Sequence, residues 1–563
     1  MQILRNILLA VFLIAASASA QVSILKPALG KHGMVASSDS IATAVGVKIM
    51  EEGGNAIDAA VAVGFALAVT YPQAGNLGGG GYYLIHLSNG KNYAIDARET
   101  APGAATRNMY LDSAGNVIPE KSLIGGLSVG VPGNVDGMLL AQKKFGRLPL
   151  KKVIEPAIKI AEEGFRVNYR LAGAFDHAFK EFKRFPATMK YFSKHGEMYK
   201  QGDLIIQGDL ARVLIKIATE GRDGFYKGEI PKLIAKEDQS TGGIITAKDI
   251  EDYHAVIREP IVDTYHGYEV IGMPPSSSGG VCLAEILNIL ENFNIRKYGY
   301  GASQTLHYEI EAMRHAFADR DKYLGDIDFV SVPMKKLLSK EYAATIASKI
   351  DSFYATPSKD IYPDLIHPHH EGTHTTHYSV VDKDGNAVSV TTTLNSYFGS
   401  MVVVDGAGFF LNNEMDDFSS KPGTPNQFGA IGAEANSIQA GKRMLSSMTP
   451  TIVLKDGKPY LILGSPGGTT IINAVLEVLL NVIDFDMPLA QAVMAGRIHH
   501  QWVPDKIFYE KSALVYDVQQ SLIARGYKLV PRDQIGEVQA ILVTPGGYEG
   551  VADPRGAGTA EGY

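Results

Sequence analysis

The sequence predicts an α+β fold of stacked sheets covered by helices. Strand hairpins occur towards both ends of the chain, and the stretch between them, roughly residues 150–326, is mostly helical in pattern. A third observation is the segment Asn55–Thr70, rich in Ala and Val on every side (Ala59, Ala60, Val61, Ala62, Val63), a composition suited to a helix buried all round.

Taken in order, Met1–Ala20 carries one charge, Arg5, followed by an apolar run, Ile7–Ala16, and a small-residue exit ending at Ala20. That pattern reads as a secretory signal peptide cut after Ala20, and Gln21 in place of cysteine removes the option of lipid attachment. Ser37–Glu52 reads as a helix separated from Asn55–Thr70 by Gly53-Gly54. The glycine run Gly78–Gly81 precedes two strands, Tyr82–Leu87 and Tyr93–Ala97, joined at Asn89-Gly90, a strong hairpin signal. No Lys-Ser or Lys-Thr follows the run, so it is not a phosphate-cradling loop; a turn and a pocket-shaping loop both fit it. Pro274–Gly280 interrupts the helical middle, and residues 352–374, rich in Pro, His and Asp, read as an exposed loop. Strands then dominate: His377–Asp382 with Ala387–Leu394, Met401–Val404 with Phe409–Leu411, and Thr451–Leu454 with Tyr460–Leu463. A helix follows Ser465-Pro466-Gly467-Gly468, with Ile471, Ile472, Val475, Leu476, Leu479 and Leu480 at helical spacing.

Composition narrows the function. The 563 residues are enough for two to four domains or one large one, and 45% hydrophobic content supplies a sizeable core. Net charge is −7 with no long Lys/Arg run, which argues against a nucleic-acid partner. Beyond the leader no segment reaches about 18 uninterrupted apolar residues, so no membrane span is expected. A single cysteine, Cys282, excludes internal disulfides, four-thiolate zinc sites and paired-thiol redox chemistry; it reads as a small core residue.

Common catalytic engines are missing: there is no Gly-x-Ser-x-Gly elbow and no His-Glu-x-x-His helix. His367, His369, His370, His374 and His377 crowd together, but their spacing fits no standard metal site, and no metal or cofactor is expected. His499-His500 read as packing or hydrogen-bonding residues near Trp502. The strongest local signal is the hairpin after His374. Gly385 suits the left-handed position of a three-residue loop, Lys383-Asp384-Gly385, which pairs Asp382 with Asn386. That register sets Thr375 opposite Thr393 on one face, with Asn395 two residues further along. Taken alone, such a Thr–Thr pair is ordinary sheet packing. Other groups change the balance. Gly467 and Gly468 open a helix whose free amides suit an oxyanion. Glu414, Asp416 and Asp417 suit a cationic amine, Arg98 suits a carboxylate, and Ser446-Ser447 add hydroxyl donors. Together they could hold an amino-acid zwitterion beside a threonine nucleophile.

Seven blocks, Gly53–Ala60, Pro72–Gly81, Asp96–Glu99, Thr375–Val380, Asn412–Phe418, Ser446–Met448 and Ser465–Gly468, resemble the γ-glutamyltranspeptidase family, and the resemblance runs from about Lys31 to the end. It implies an N-terminal-nucleophile hydrolase: a four-layer αββα sandwich made as an inactive precursor that cuts itself between His374 and Thr375. The large subunit would be residues 21–374 and the small one 375–563, interleaved in one globule. The resemblance further implies that Thr375 is the nucleophile, its freed α-amine the general base, and Thr393 its orienting partner. Arg98, Ser446 and Ser447 would hold the α-carboxylate of a γ-glutamyl group, and Asn395, Glu414 and Asp417 its α-amine. The Gly467 and Gly468 amides would face the oxyanion. Expected donors are glutathione and other γ-glutamyl compounds; expected acceptors are water, amino acids and dipeptides. Lys421–Gly432 lies where many members carry a lid, with Phe428 where a tyrosine is common. The expected location is the periplasm or the medium. Another amidase on this scaffold, a β-lactam side-chain acylase or a poly-γ-glutamate hydrolase, is the alternative, and an exported binding protein that never matures is a third possibility.

Overall fold

The computed structural model describes residues 25–362, 375–421 and 433–563. The expected leader, His374 with the histidine run before it, and the expected lid beyond Lys421, including Phe428, lie outside the described residues. In chain order the central strands are β1 (Ala28–Gly30), β2 (Gly33–Ser37), β3 (Gly80–His86), β4 (Asn92–Ala97), β5 (Val256–Arg258), β6 (Ile261–Tyr265) and β7 (Tyr268–Gly272). They continue as β8 (Thr376–Asp382), β9 (Ala387–Thr393), β10 (Thr451–Lys455), β11 (Lys458–Gly464), β12 (Gln539–Thr544), β13 (Gly547–Ala552) and β14 (Thr559–Gly562). One seven-stranded sheet runs β1-β13-β12-β11-β10-β7-β6, and the other runs β14-β2-β8-β9-β3-β4-β5. In both, strands from before and after Thr375 are neighbours, as expected of interleaved halves.

Helices α1 (Ser40–Glu51) and α2 (Ala56–Thr70) cover the second sheet; α3 (Gly279–Leu290), α4 (Ser303–Tyr323) and α5 (Thr470–Ile483) lie on the side of the first. The molecule is therefore layered helix–sheet–sheet–helix, as expected. This layering explains why the central strands read as apolar runs. On β3, Tyr83 and Ile85 join the core shared with α1 and α2, whereas Tyr82 and Leu84 join the core shared with the first sheet. Alternate side chains point to opposite faces, and both faces are dry. Every residue of α2 is buried. Its start is fixed by a reciprocal cap: the Asn55 side chain accepts from the Ile57 and Asp58 amides, and Asp58 accepts from the Asn55 amide at 3.1 Å.

The β8–β9 hairpin has the predicted register. Val381 pairs with Ala387 and Thr376 with Thr392, and Gly385 takes the left-handed conformation (φ +88°). Three expectations need correction. The first helix begins at Ser40, because Ser37 belongs to β2 and Asp39 caps the helix through the Ala42 amide. Met401–Val404 and Phe409–Leu411 do not form strands; one bridge, Val403–Phe410, survives, because Met401, Gly406 and Gly408 all take positive φ and break the ladder. The last central helix starts at Thr470, so Gly467 and Gly468 lie in the turn before it rather than opening it.

The glycine run resolves as a tightly packed passage. A Cβ on Gly79 would sit 2.1 Å from the Thr393 carbonyl oxygen, and one on Gly78 would sit 2.2 Å from that of Phe410. Backbone cannot yield as a flexible side chain would. Gly79→Ala is expected to cost about 2–3 kcal/mol, read as a lower denaturant midpoint. An unchanged midpoint would show that the backbone there can yield.

Candidate active site

Thr375 leads into β8 and is buried. Its hydroxyl donates to Thr393 Oγ1 at 3.3 Å, the pairing that the register demands. Thr393 is itself anchored: its Oγ1 accepts from the Asn395 amide at 2.7 Å, and its carbonyl accepts from Asn76 Nδ2 at 2.9 Å. Asn395 adopts positive φ (+76°), so the strand alternation stops there and its side chain donates to the Asn413 carbonyl.

Thr375 lies between two cavities. The first, about 20 Å³, is lined by Thr375, Thr393, Asn395, Arg98, Glu414, Asp417, Ser446, Ser447 and Gly468, together with Arg320. Ten of the residues singled out by sequence are thus accounted for once Gly467, which lines the second cavity, is added. Arg98 stands at the end of β4, fully buried. It donates to Glu414 and to Asp417 Oδ2, and its Nε donates to the Met444 carbonyl at 3.2 Å. Burial works against its charge, and Glu414 and Asp417 more than restore it. The same burial pushes the Glu414 and Asp417 carboxyls upward while Arg98 pulls them down. Neighbouring Glu99 is driven up to about 8, chiefly by burial, and so carries a proton at neutral pH. One guanidinium thus faces two carboxyl groups whose charge burial opposes. Asp416, the third acid of the cluster, turns away and accepts from Ser122 Oγ at 2.6 Å.

Gly467 (φ +139°) and Gly468 (φ +59°) form a turn between β11 and α5, and the Gly467 carbonyl accepts from the Thr470 hydroxyl and amide. The amides thus precede the helix rather than belong to its first turn. Gly468 faces the first cavity and Gly467 the second. The second cavity, about 210 Å³, is walled by Tyr71, Tyr397, Arg170, Glu537, Gln534 and Gly536.

Sequence reasoning missed several supports. Arg320 on α4 donates to Ser447 Oγ at 3.1 Å and to Ser278 Oγ at 3.0 Å. Ser276–Ser278, within the Pro/Ser/Gly stretch taken only as an interruption, cradles the Ser446 backbone: the Ser446 amide donates to Ser276 and its carbonyl accepts from Ser278. Asp96 accepts from the Arg98 amide and from Arg258 Nε, fixing the end of β4. Three consecutive serines were the only local signal. Two of the candidate histidines within the described residues, His377 and His499, are otherwise engaged. His377 bonds Thr391 and Ser379 and is held down to about 3 by burial, while His499 bonds Asn473 and Gln501 beside Trp502. Cys282 is a buried core residue of α3.

The family model described as gamma-glutamyltranspeptidase matches residues 42–563. A glutathione hydrolase proenzyme from Escherichia coli (strain K12) is 50% identical over 534 residues, covering 94% of this chain and 92% of the relative. Among solved structures, a cephalosporin acylase from Bacillus halodurans superposes with a TM-score of 0.85 at 29% identity, covering 97% of this chain and 98% of that one. The Helicobacter pylori gamma-glutamyltranspeptidase matches at 47% identity and a TM-score of 0.58, covering 63% of this chain and all of that one (100%).

Proposed function

Because the chain belongs to the γ-glutamyltranspeptidase family, we propose that Thr375 is the nucleophile of a self-cleaving glutathione hydrolase and γ-glutamyltransferase. The observation carrying this reading is the Thr375–Thr393 hydroxyl contact at 3.3 Å, beside a buried Arg98–Glu414–Asp417 cluster. In the precursor, Thr375 Oγ attacks the carbonyl carbon of His374. The peptide C–N bond breaks, a C–O ester forms, and the nitrogen retains its place as the α-amine of Thr375. Water then opens the ester, leaving residues 21–374 as the large subunit and 375–563 as the small one. An α-amine has an unperturbed pKa near 8, so it serves as general base near neutrality without a histidine.

In turnover, the zwitterionic head of a γ-glutamyl donor enters between Arg98 and the acids. Its carboxylate takes the guanidinium with Ser446 and Ser447, and its ammonium takes Asn395, Glu414 and Asp417. The substrate thus replaces an internal ion pair with two complementary ones. The Gly467 and Gly468 amides receive the oxyanion as Thr375 is acylated. The leaving amine takes a proton from the Thr375 ammonium, and water or an acceptor amine completes the cycle. The acid pair also weighs against the acylase alternative: a glutaryl group has no ammonium to place between Glu414 and Asp417. The higher identity to the glutathione hydrolase proenzyme (50%) than to the acylase structure (29%) points the same way. Among the described residues no helix is long and apolar enough to cross a membrane, and we read the enzyme as exported to the periplasm. The test has two arms. The purified protein should give two unequal bands on a denaturing gel, the smaller beginning at Thr375 by N-terminal sequencing. It should also turn over a γ-glutamyl anilide in preference to a glutaryl anilide; a preference for glutaryl would reverse the assignment.

A further inference from the structure

Two arginines line the first cavity, and the γ-glutamyl reading uses only Arg98. The second, Arg320, lies in the last turn of α4 and is buried. Its Nη1 donates to Asp321 Oδ1 at 2.8 Å, its Nε to Ser278 Oγ at 3.0 Å and its Nη2 to Ser447 Oγ at 3.1 Å. A serine hydroxyl can give one proton and accept two, whereas a guanidinium can only give. Each serine that meets Arg320 therefore takes that bond on its oxygen and sends its own proton elsewhere. For Ser278 the destination is the Ser446 carbonyl, at 2.7 Å. Ser447, half-buried and lining the cavity, donates its proton to no group among the described residues. Ser446 has the same polarity. Its Oγ accepts from the Met448 amide at 3.2 Å, and its hydroxyl proton is likewise unspent among the described residues. The cavity thus presents two hydroxyls held as donors, in company with the Arg98 guanidinium. That set matches a carboxylate, which only accepts. A carboxamide in its place would turn an NH₂ group towards donors, leaving buried polar atoms unpaired.

We propose that Arg320 is a positioning residue that locks Ser447 as a hydrogen-bond donor and so makes the head subsite reject donors whose α-carboxylate is replaced by a carboxamide. The inference rests on the γ-glutamyl reading above. Arg320 acts through Ser447 and, by way of Ser278, through the Ser446 backbone; it is not itself a catalytic residue. Without it the Ser447 hydroxyl is free to reverse, accept from an amide NH₂ and lose its preference for an anion. A hydroxyl that accepts from a charged donor also gives a stronger bond with its own proton, because the two bonds polarise the same oxygen.

The experiment uses the mature two-chain enzyme and compares hydrolysis of a γ-glutamyl anilide with that of the same anilide bearing an α-carboxamide. The wild-type enzyme should favour the free carboxylate by about a hundredfold or more in kcat/KM. In Arg320→Met that preference should fall about tenfold, chiefly by a rise in KM for the carboxylate donor with kcat little changed. Ser447→Ala should lower it by a similar factor. The two changes combined should lower it no more than about twofold beyond either alone, because they break one path. A merely structural role for Arg320 would not vanish when the Ser447 hydroxyl is absent. Arg320→Lys, which retains a donor but cannot reach both serines, should give an intermediate preference, and closes the same cycle if the methionine variant does not mature. A preference that either Arg320 variant leaves unmoved, a loss confined to kcat, or effects that multiply in the double variant overturns the proposal. A wild-type enzyme inert towards the γ-glutamyl anilide, or indifferent to its carboxylate, overturns the underlying reading instead, and this one with it.

Discussion

A Thr375→Ala chain is expected to remain one polypeptide of full length and to show no measurable turnover of a γ-glutamyl anilide, a loss of at least about 10⁴-fold. The same atom is asked to do two jobs. On the proposed reading its oxygen opens the backbone once, and thereafter it carries the γ-glutamyl group in every cycle. Alanine removes that oxygen while retaining the backbone. The fold should barely notice: among the described residues the Thr375 side chain makes one hydrogen bond, to Thr393, worth about 1 kcal/mol. A variant that stays uncut yet melts close to the wild-type temperature would separate the chemical role from a structural one. A variant that matures, or that turns over substrate uncut, would remove Thr375 from its role.

The second large effect is expected at Arg98. Arg98→Lys should raise the KM for a γ-glutamyl donor by about ten- to a hundredfold, with kcat changed far less. The guanidinium spans Glu414, Asp417 and the Met444 carbonyl at once. An ammonium is a point charge on a flexible stem and cannot reach all three. Both carboxyls are already pushed upward by burial and pulled down by Arg98. Weakening that pull lets them take protons at higher pH, and a protonated acid no longer holds the substrate ammonium. The gap in KM between variant and wild type should therefore widen as pH falls from 8 towards 6. A KM ratio flat across that range, or no rise at all, contradicts carboxylate recognition at Arg98.

How much of this was legible beforehand depended on distance along the chain. The β8–β9 hairpin was readable because one glycine, Gly385, and the alternation of strands determine its register, and from that register Thr375 meets Thr393. The buried helix α2 was readable because its cap and its apolar residues are contiguous. The glycine run was not, because its meaning lies in the carbonyls of Thr393 and Phe410, which only the folded sheet brings near. Arg320 and Ser276–Ser278 escaped for the same reason. Each is unremarkable among its sequence neighbours and acquires a role only from Ser446 or Ser447 across the fold. The helix after Gly467-Gly468 was readable because its apolar residues keep helical spacing from Ile471 onward, but the two glycines lie in the turn before it, where the Thr470 hydroxyl reaches back to the Gly467 carbonyl.

The strand order carries one more consequence. β2 lies between β14 and β8, and β9 lies against β3, so each product of the cut is stitched into both sheets by ladders to the other. A cut before Thr375, as proposed, would therefore free neither piece, and two fragments synthesised apart would have to rebuild both sheets together before either had a core to fold around.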